Sequence, residues 1–183
     1  GKSTLVKLLL KLYEPQSGEI LLNGVPLNEF SQKSLAENIG YVSQSIVLFY
    51  ASIRDNIRMF DQSISDEQIK EALKKSGMYE KIMALPGGLD YICEDGAANF
   101  SGGETQLLAC ARLFLKQSKI IILDESTAKL DNTEQEKIQL AFNELIENKT
   151  AIIIAHRTET LEKTNVKFLL ENGKLAQGEK AIL

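Results

Sequence analysis

Apolar runs long enough to cross a bilayer are missing from this chain. The longest, residues 120–123 and 151–155, fall far short of the about eighteen residues that a spanning helix needs, and read instead as buried strands. No signal-peptide pattern is present. Cysteine is scarce, and Cys93 and Cys110 fit neither a metal-ligand nor a Cys-x-x-Cys spacing, so both read as reduced thiols of a cytosolic protein with a structural role. Charge of one sign is lacking too. With 21 Lys and Arg against 25 Asp and Glu, mixed along the chain, there is no basic footprint for nucleic acid, and no nucleic-acid partner is expected. Internal repeats, low-complexity tracts and linkers are absent. What is left, 183 residues of which 44% are hydrophobic, fits one domain with a sizeable core.

Chemistry concentrates in a few short stretches. Asn99-Phe100-Ser101-Gly102-Gly103-Glu104 precedes a helical run over residues 105–116, with Leu107, Cys110, Ala111 and Phe114 at helical spacing. A Ser-Gly-Gly turn opening a helix offers unpaired backbone N–H groups and the positive end of the helix dipole, which suits a phosphate; an ordinary capped helix carries the same pattern. At the start of the chain, Gly1-Lys2-Ser3-Thr4 runs into a helix bearing Leu5, Leu8, Leu9 and Leu12. It matches the second half of a phosphate loop, Gly-x-x-x-x-Gly-Lys-Ser/Thr, in which N–H groups cradle phosphates, lysine reaches the β/γ oxygens and the hydroxyl binds Mg2+.

Residues 119–125 form a β-branched apolar run ending in Asp124-Glu125, the mark of a central parallel strand buried on both faces. Ligands of open α/β sheets bind at such carboxyl ends. Residues 150–155 read as a second buried strand leading to the only histidine, His156. Gly40 to Gln44 reads as a further strand, and residues 18–24 as a strand closed by an Asn23-Gly24 hairpin turn. Between residues 49 and 85 the chain turns helical. Ser65 and Gln68 form a capping box, and Ile69, Ala72, Leu73 and Ser76 share one face. Ile138, Ala141, Phe142, Leu145 and Ile146 lay an apolar stripe along another helix, and an Asn172-Gly173 turn marks a closing hairpin between residues 166 and 178.

Taken in order, these stretches resemble the ATP-binding cassette (ABC) ATPases over essentially the whole chain. Ser101-Gly102-Gly103-Glu104 resembles the signature motif, usually Leu-Ser-Gly-Gly-Gln, and Gly1-Lys2-Ser3-Thr4 the P-loop. The resemblance implies an α/β P-loop NTPase core with a mainly parallel sheet and a helical subdomain, lacking the N-terminal strands. It divides one domain into a nucleotide-binding core, 1–44 and 117–183, and a helical part with the signature helix, 45–116. It implies ATP and Mg2+ as cofactors and ATP hydrolysis as the activity. Gly1, Lys2, Ser3 and Thr4 bind phosphate; Ser3, Gln44 and Asp124 serve the metal; Glu125 polarises the attacking water, and His156 contacts the γ-phosphate. Asp131, in the stretch 126–131 that resembles the D-loop, helps join two subunits, although Lys129 stands where the family usually has a small residue.

Ser101, Gly102 and Gly103 would act on ATP bound by a second ABC domain, paired head to tail. Glu104, in place of the usual glutamine, is expected to point away along the helix. Residues 52–57, 85–90 and the Glu94-Asp95-Gly96 coupling loop resemble exporter-type domains, which implies a transmembrane-domain partner and a place on the cytoplasmic face of the cell membrane. A soluble ABC ATPase of repair or translation, and a fragment without activity, are the alternatives. The start at Gly1 inside the P-loop implies weak ATP binding by the chain as it stands, and a missing strand that leaves residues 120–123 and 152–154 uncovered.

Overall fold

The computed structural model describes residues 1–43, 45–94, 99–124, 132–154 and 164–177, without the side chains of Asn132 and Gln177. At its centre stand three parallel strands, β3 (Ile39–Val42), β4 (Ile120–Asp124) and β5 (Thr150–Ile154), in the order β3-β4-β5. The register sets Gly40 beside Ile121, Leu123 beside Ile153 and Asp124 beside Ile154. The unbroken apolar run of β4 therefore lies in the middle, with Ile121, Ile122 and Leu123 no more than 1% exposed. The expectation that residues 120–123 lie uncovered is corrected: β4 is hydrogen-bonded to a strand on each side.

Side chains alternate along a strand, so the sheet presents two faces. On one face Val42, Ile121 and Leu123 join a large core with helices α3 (Ile53–Arg58), α4 (Asp66–Lys75), α5 (Tyr79–Ala84), α6 (Gly102–Leu115) and α7 (Asn132–Ile146). On the other, Ile39, Ile122 and Ile154 share a smaller cluster with buried Val6 of α1 (Lys2–Leu9), Leu35 of α2 (Gln32–Asn38) and Leu27 of a short 3-10 turn, with partly buried side chains such as Leu9, Ile20 and Phe30 around it. Gly40 faces the large layer. A Cβ there would stand 2.8 Å from Ile121 Cδ1 and 3.2 Å from Leu113 Cδ2, so glycine is what lets α6 lie against β3.

The stripe expected along α6 proves too narrow. Thr105 to Ala111 are all buried, together with Gly103 and Leu113, because α3, α4, α7 and β3 surround the helix. The Arg112 guanidinium is drawn partly inside, with each nitrogen bonded: Nε donates to the Asn56 carbonyl, Nη1 to the Val47 carbonyl and Nη2 to Asn56 Oδ1, at 2.9, 2.9 and 3.0 Å. Asn56, wholly buried, donates in turn to the carbonyls of Phe49, Ala51 and Ser52. Burial of these groups without partners would cost a few kcal/mol, about 1–3 each, so the network closes on itself. Arg54 ties α3 to Asp66 at the start of α4 and to Asp90 in the 3-10 turn Gly88–Asp90. The capping box of Ser65 and Gln68 forms as the sequence predicts.

Two short hairpins complete the described chain. β1 (Leu21–Leu22) and β2 (Val25–Pro26) turn at Asn23-Gly24, and β6 (Phe168–Glu171) and β7 (Lys174–Gln177) at Asn172-Gly173. All four turn residues have positive φ, 52 and 80° in the first and 46 and 75° in the second, the geometry that favours Asn-Gly. Leu12, expected on the face of the first helix, lies beyond its end and is 62% exposed; the helix is buried through Val6 instead.

Candidate functional site

Parallel strands bring their carboxyl ends to one edge, and Val42, Asp124 and Ile154 are such ends. Asp124 is half-buried and accepts a long hydrogen bond, 3.4 Å, from the Tyr41 hydroxyl on β3. Burial, and then the Asp124 carboxylate, push the Tyr41 phenol above its ordinary pKa, so it stays a neutral donor. Gln44, Glu125 and His156 each follow one of these ends within two residues in the sequence. Together with Asp131, they lie outside the described residues.

Helix α1 is held on the thin side of the sheet by Val6, in the same cluster as Ile122 and Ile154. Gly1 is its N-cap and supplies no side-chain cap, so the first N–H groups of the helix have no partner from that source. Lys2 is half-buried, while Ser3 and Thr4 are exposed. This is the chemistry a phosphate requires: open N–H donors, an ammonium and two hydroxyls. The Ser3 hydroxyl and the Asp124 carboxylate are hard oxygen donors of the kind Mg2+ takes, and Mg2+ completes its shell with water and substrate phosphates. The described residues thus fit ATP with Mg2+. A separate cleft of about 390 Å3, lined by Leu8, Lys11, Glu14, Glu19, Leu27 and Glu29 among others, contains none of the predicted site residues, and its carboxylates would repel a triphosphate.

The Ser-Gly-Gly turn is built in detail. Ser101 caps α6: its Oγ accepts from the Glu104 N–H at 3.1 Å, and Glu104 Oε2 accepts from the Ser101 N–H at 3.0 Å. The side chain of Glu104 therefore does not point away along the helix, as its position predicts, but folds back over the cap. Its other oxygen is paired with the Lys81 ammonium of α5, which also stands 5.9 Å from the centre of the Phe100 ring. Burial pushes the Glu104 carboxyl upward, but Lys81, the Ser101 N–H and the more distant Lys137 together hold it below the usual carboxylate range. A second carboxylate, Glu134 of α7, accepts from Ser101 Oγ at 2.7 Å. A Cβ on Gly103 would lie 3.2 Å from Glu134 Cδ and Oε2, so glycine admits this close approach.

The structure thus joins the Ser-Gly-Gly-Glu turn to α5 through Glu104 and to α7 through Ser101, and places Asp124 at the sheet edge. Sequence reasoning missed Tyr41, Lys81 and Glu134. Tyr41 had a usable signal, one residue before the end of a strand in the same parallel sheet as β4. Lys81 and Glu134 had none, because both meet the turn only through helix packing.

An open parallel sheet with an acid at its carboxyl end, a Gly-Lys-Ser helix start and a Ser-Gly-Gly helix start define a P-loop NTPase core. The family profile described as ABC transporter matches residues 1–128, and the chain belongs to that family. An ATP-dependent lipid A-core flippase of Saccharophagus degradans is 37% identical over 177 residues, 97% of this chain and 30% of that protein. One from Methylobacillus flagellatus is 38% identical over 179 residues, 97% of this chain and 31% of that protein. The solved structure of a bacterial Atm1-family ABC exporter with ATP bound superposes with a TM-score of 0.89 at 34% identity, covering 97% of this chain and 32% of that one. The chain spans about a third of the length of these relatives. Among the described residues no helix is long and apolar enough to cross a membrane.

Proposed function

We propose that this chain is the ATP-hydrolysing motor domain of a membrane exporter, working at the cytoplasmic face as one of two paired ABC domains bound to a transmembrane domain. Residues 1–44 and 117–183 are the nucleotide-binding core, and 45–116 the helical part with the signature helix. The observation that carries the reading is the separation of anchors: Asp124 belongs to the sheet edge, whereas the signature turn is fastened to α5 through Glu104 and to α7 through Ser101. A turn held in this way suits delivery to a nucleotide on a second domain, and the exporter likeness of the relatives supports the membrane setting.

Phosphoryl transfer to water is mainly positioning and charge stabilisation. Lys2 neutralises the β/γ-phosphates, helped by the N–H groups from Gly1 to Thr4. Ser3, Asp124 and Gln44 would hold Mg2+, which supplies charge neutralisation on the phosphates when bound. Glu125 orients the attacking water and accepts its proton, His156 holds the γ-phosphate, and Asp131 lies at the junction of the two domains.

In the full-length protein, Glu125→Gln is expected to abolish turnover and retain ATP binding, since an amide keeps the shape but cannot accept a proton. ATP should then trap paired domains, visible by size-exclusion chromatography or cross-linking. Hydrolysis at the parental rate would overturn the role given to Glu125. A soluble ABC ATPase of repair or translation is the other reading; absence of membrane helices from the full-length protein would favour it.

A further inference from the structure

The contact between Ser101 and Glu134 is not needed for the fold of either helix. The Ser101 hydroxyl already caps α6 as an acceptor, and α7 has Glu134 in its own first turn, where it favours that helix whether or not it reaches Ser101. A seryl hydroxyl has one proton and two acceptor positions. Here one acceptor position takes the Glu104 N–H, and the proton goes to Glu134 Oε1 at 2.7 Å. The single donor that this side chain could offer a phosphate oxygen is thus engaged.

The same carboxylate lies over Gly103, its Oε2 within 3.2 Å of where a Cβ would stand. It therefore occupies the ground at the start of a fourteen-residue helix where an incoming anion would settle. Lys81 is paired with Glu104, so the Glu134 carboxylate competes for the turn without drawing on that cation.

We propose that Glu134 is an internal competitor for the Ser101–Gly103 turn: it holds the seryl proton and the anion seat until a phosphate displaces it, and so raises the ATP concentration at which two domains pair. The proposal rests on the reading of this turn as a phosphate contact. A triphosphate with Mg2+ outcompetes one carboxylate when it is presented in place, but Glu134 must first swing aside, and its charge repels the phosphate while it stays. The contact is thus a threshold set within one domain.

The test uses the full-length protein carrying Glu125→Gln, with fluorescent labels on the two domains and ATP as the titrant. Glu134→Ala is expected to lower the ATP concentration for half-maximal pairing about tenfold, which corresponds to about 1.4 kcal/mol. Glu134→Gln, which keeps an acceptor and loses the charge, should lower it about threefold. An unchanged or raised ATP requirement in folded Glu134→Ala overturns the proposal; should that variant not fold, an unchanged or raised requirement in Glu134→Gln does so alone. Ser101→Arg in the same assay separates the two levels of the argument. If it pairs like its parent, the reading of the turn itself fails. If it does not pair while both Glu134 variants match the parent, only the competitor role falls.

Discussion

The two faces of the β3-β4-β5 sheet are covered to very different depths. One carries five helices and a continuous core reaching from Val42 to Leu145, with buried polar groups tied to one another through Arg112 and Asn56. The other carries α1, α2 and a hairpin, and its cluster rests on Val6, Leu27 and Leu35. The candidate phosphate-binding start of α1 belongs to the thin side, whereas the Ser-Gly-Gly turn belongs to the thick one. A helix start on a shallow layer can adjust around a ligand at little cost. A turn braced by a deep core and two neighbouring helices is presented as a rigid surface.

That contrast can be broken by truncation. Phe142→Ala, at a side chain 2% exposed in the thick layer, is expected to destabilise the domain by about 3–5 kcal/mol. Val6→Ala, equally buried on the thin side, should cost only about 1–2 kcal/mol, from fewer lost methyl groups and a layer free to close. Urea denaturation of both variants measures the difference; equal losses would show that the layers are equally tight.

A smaller effect sharpens the polar half of the comparison. Arg112→Met keeps the aliphatic stem but strands the partly shielded Asn56 carbonyl and frees the exposed Val47 carbonyl, while Asn56 Oδ1 keeps only the Phe49 N–H. We expect a loss of about 2–3 kcal/mol, together with faster hydrogen exchange across residues 47–52, which Asn56 and Arg112 jointly hold. A loss confined to a few tenths of a kcal/mol would mean that the network adds little to the apolar packing around it.

The smallest expected effect lies at the edge of the thick layer. Glu104→Gln removes the charge facing Lys81 while leaving an acceptor for the Ser101 N–H, and should cost about 0.5 kcal/mol, as partly exposed pairs do. The folded carboxyl is held below its unfolded value, so its stabilisation is present above the usual glutamate pKa and is lost as pH falls through the lowered one. The parent and Glu104→Gln should therefore converge in Tm at acidic pH. A gap that persists or widens there would place the origin elsewhere.

What is local was legible in the sequence. The apolar run 120–123 announces a strand buried on both faces because no polar residue interrupts it before Asp124, and the Asn-Gly pairs announce turns because few other residues tolerate their left-handed backbone. Ser65 with Gln68, and Ser101 before Gly102, announce helix starts because a cap is made within four residues. The family resemblance rests on the same short stretches, and the profile match follows it. Of the site, Lys2, Ser3, Asp124 and Ser101 were legible as residue types in order, while Gln44, Glu125, Asp131 and His156 remain assignments by motif.

Only the tertiary structure decided which helix is enclosed, why residue 40 must be glycine, and what touches the Ser-Gly-Gly turn. Enclosure of α6 follows from α3, α4, α7 and β3 packed around it, which its own periodicity cannot report. Glu104 turns back because Lys81 stands 23 residues away in sequence yet within reach of its carboxylate. Glu134 reaches Ser101 across 33 residues because α6 and α7 begin side by side. Sequence patterns encode what a residue does to its own backbone and immediate neighbours, whereas contacts between helix ends depend on how whole elements pack.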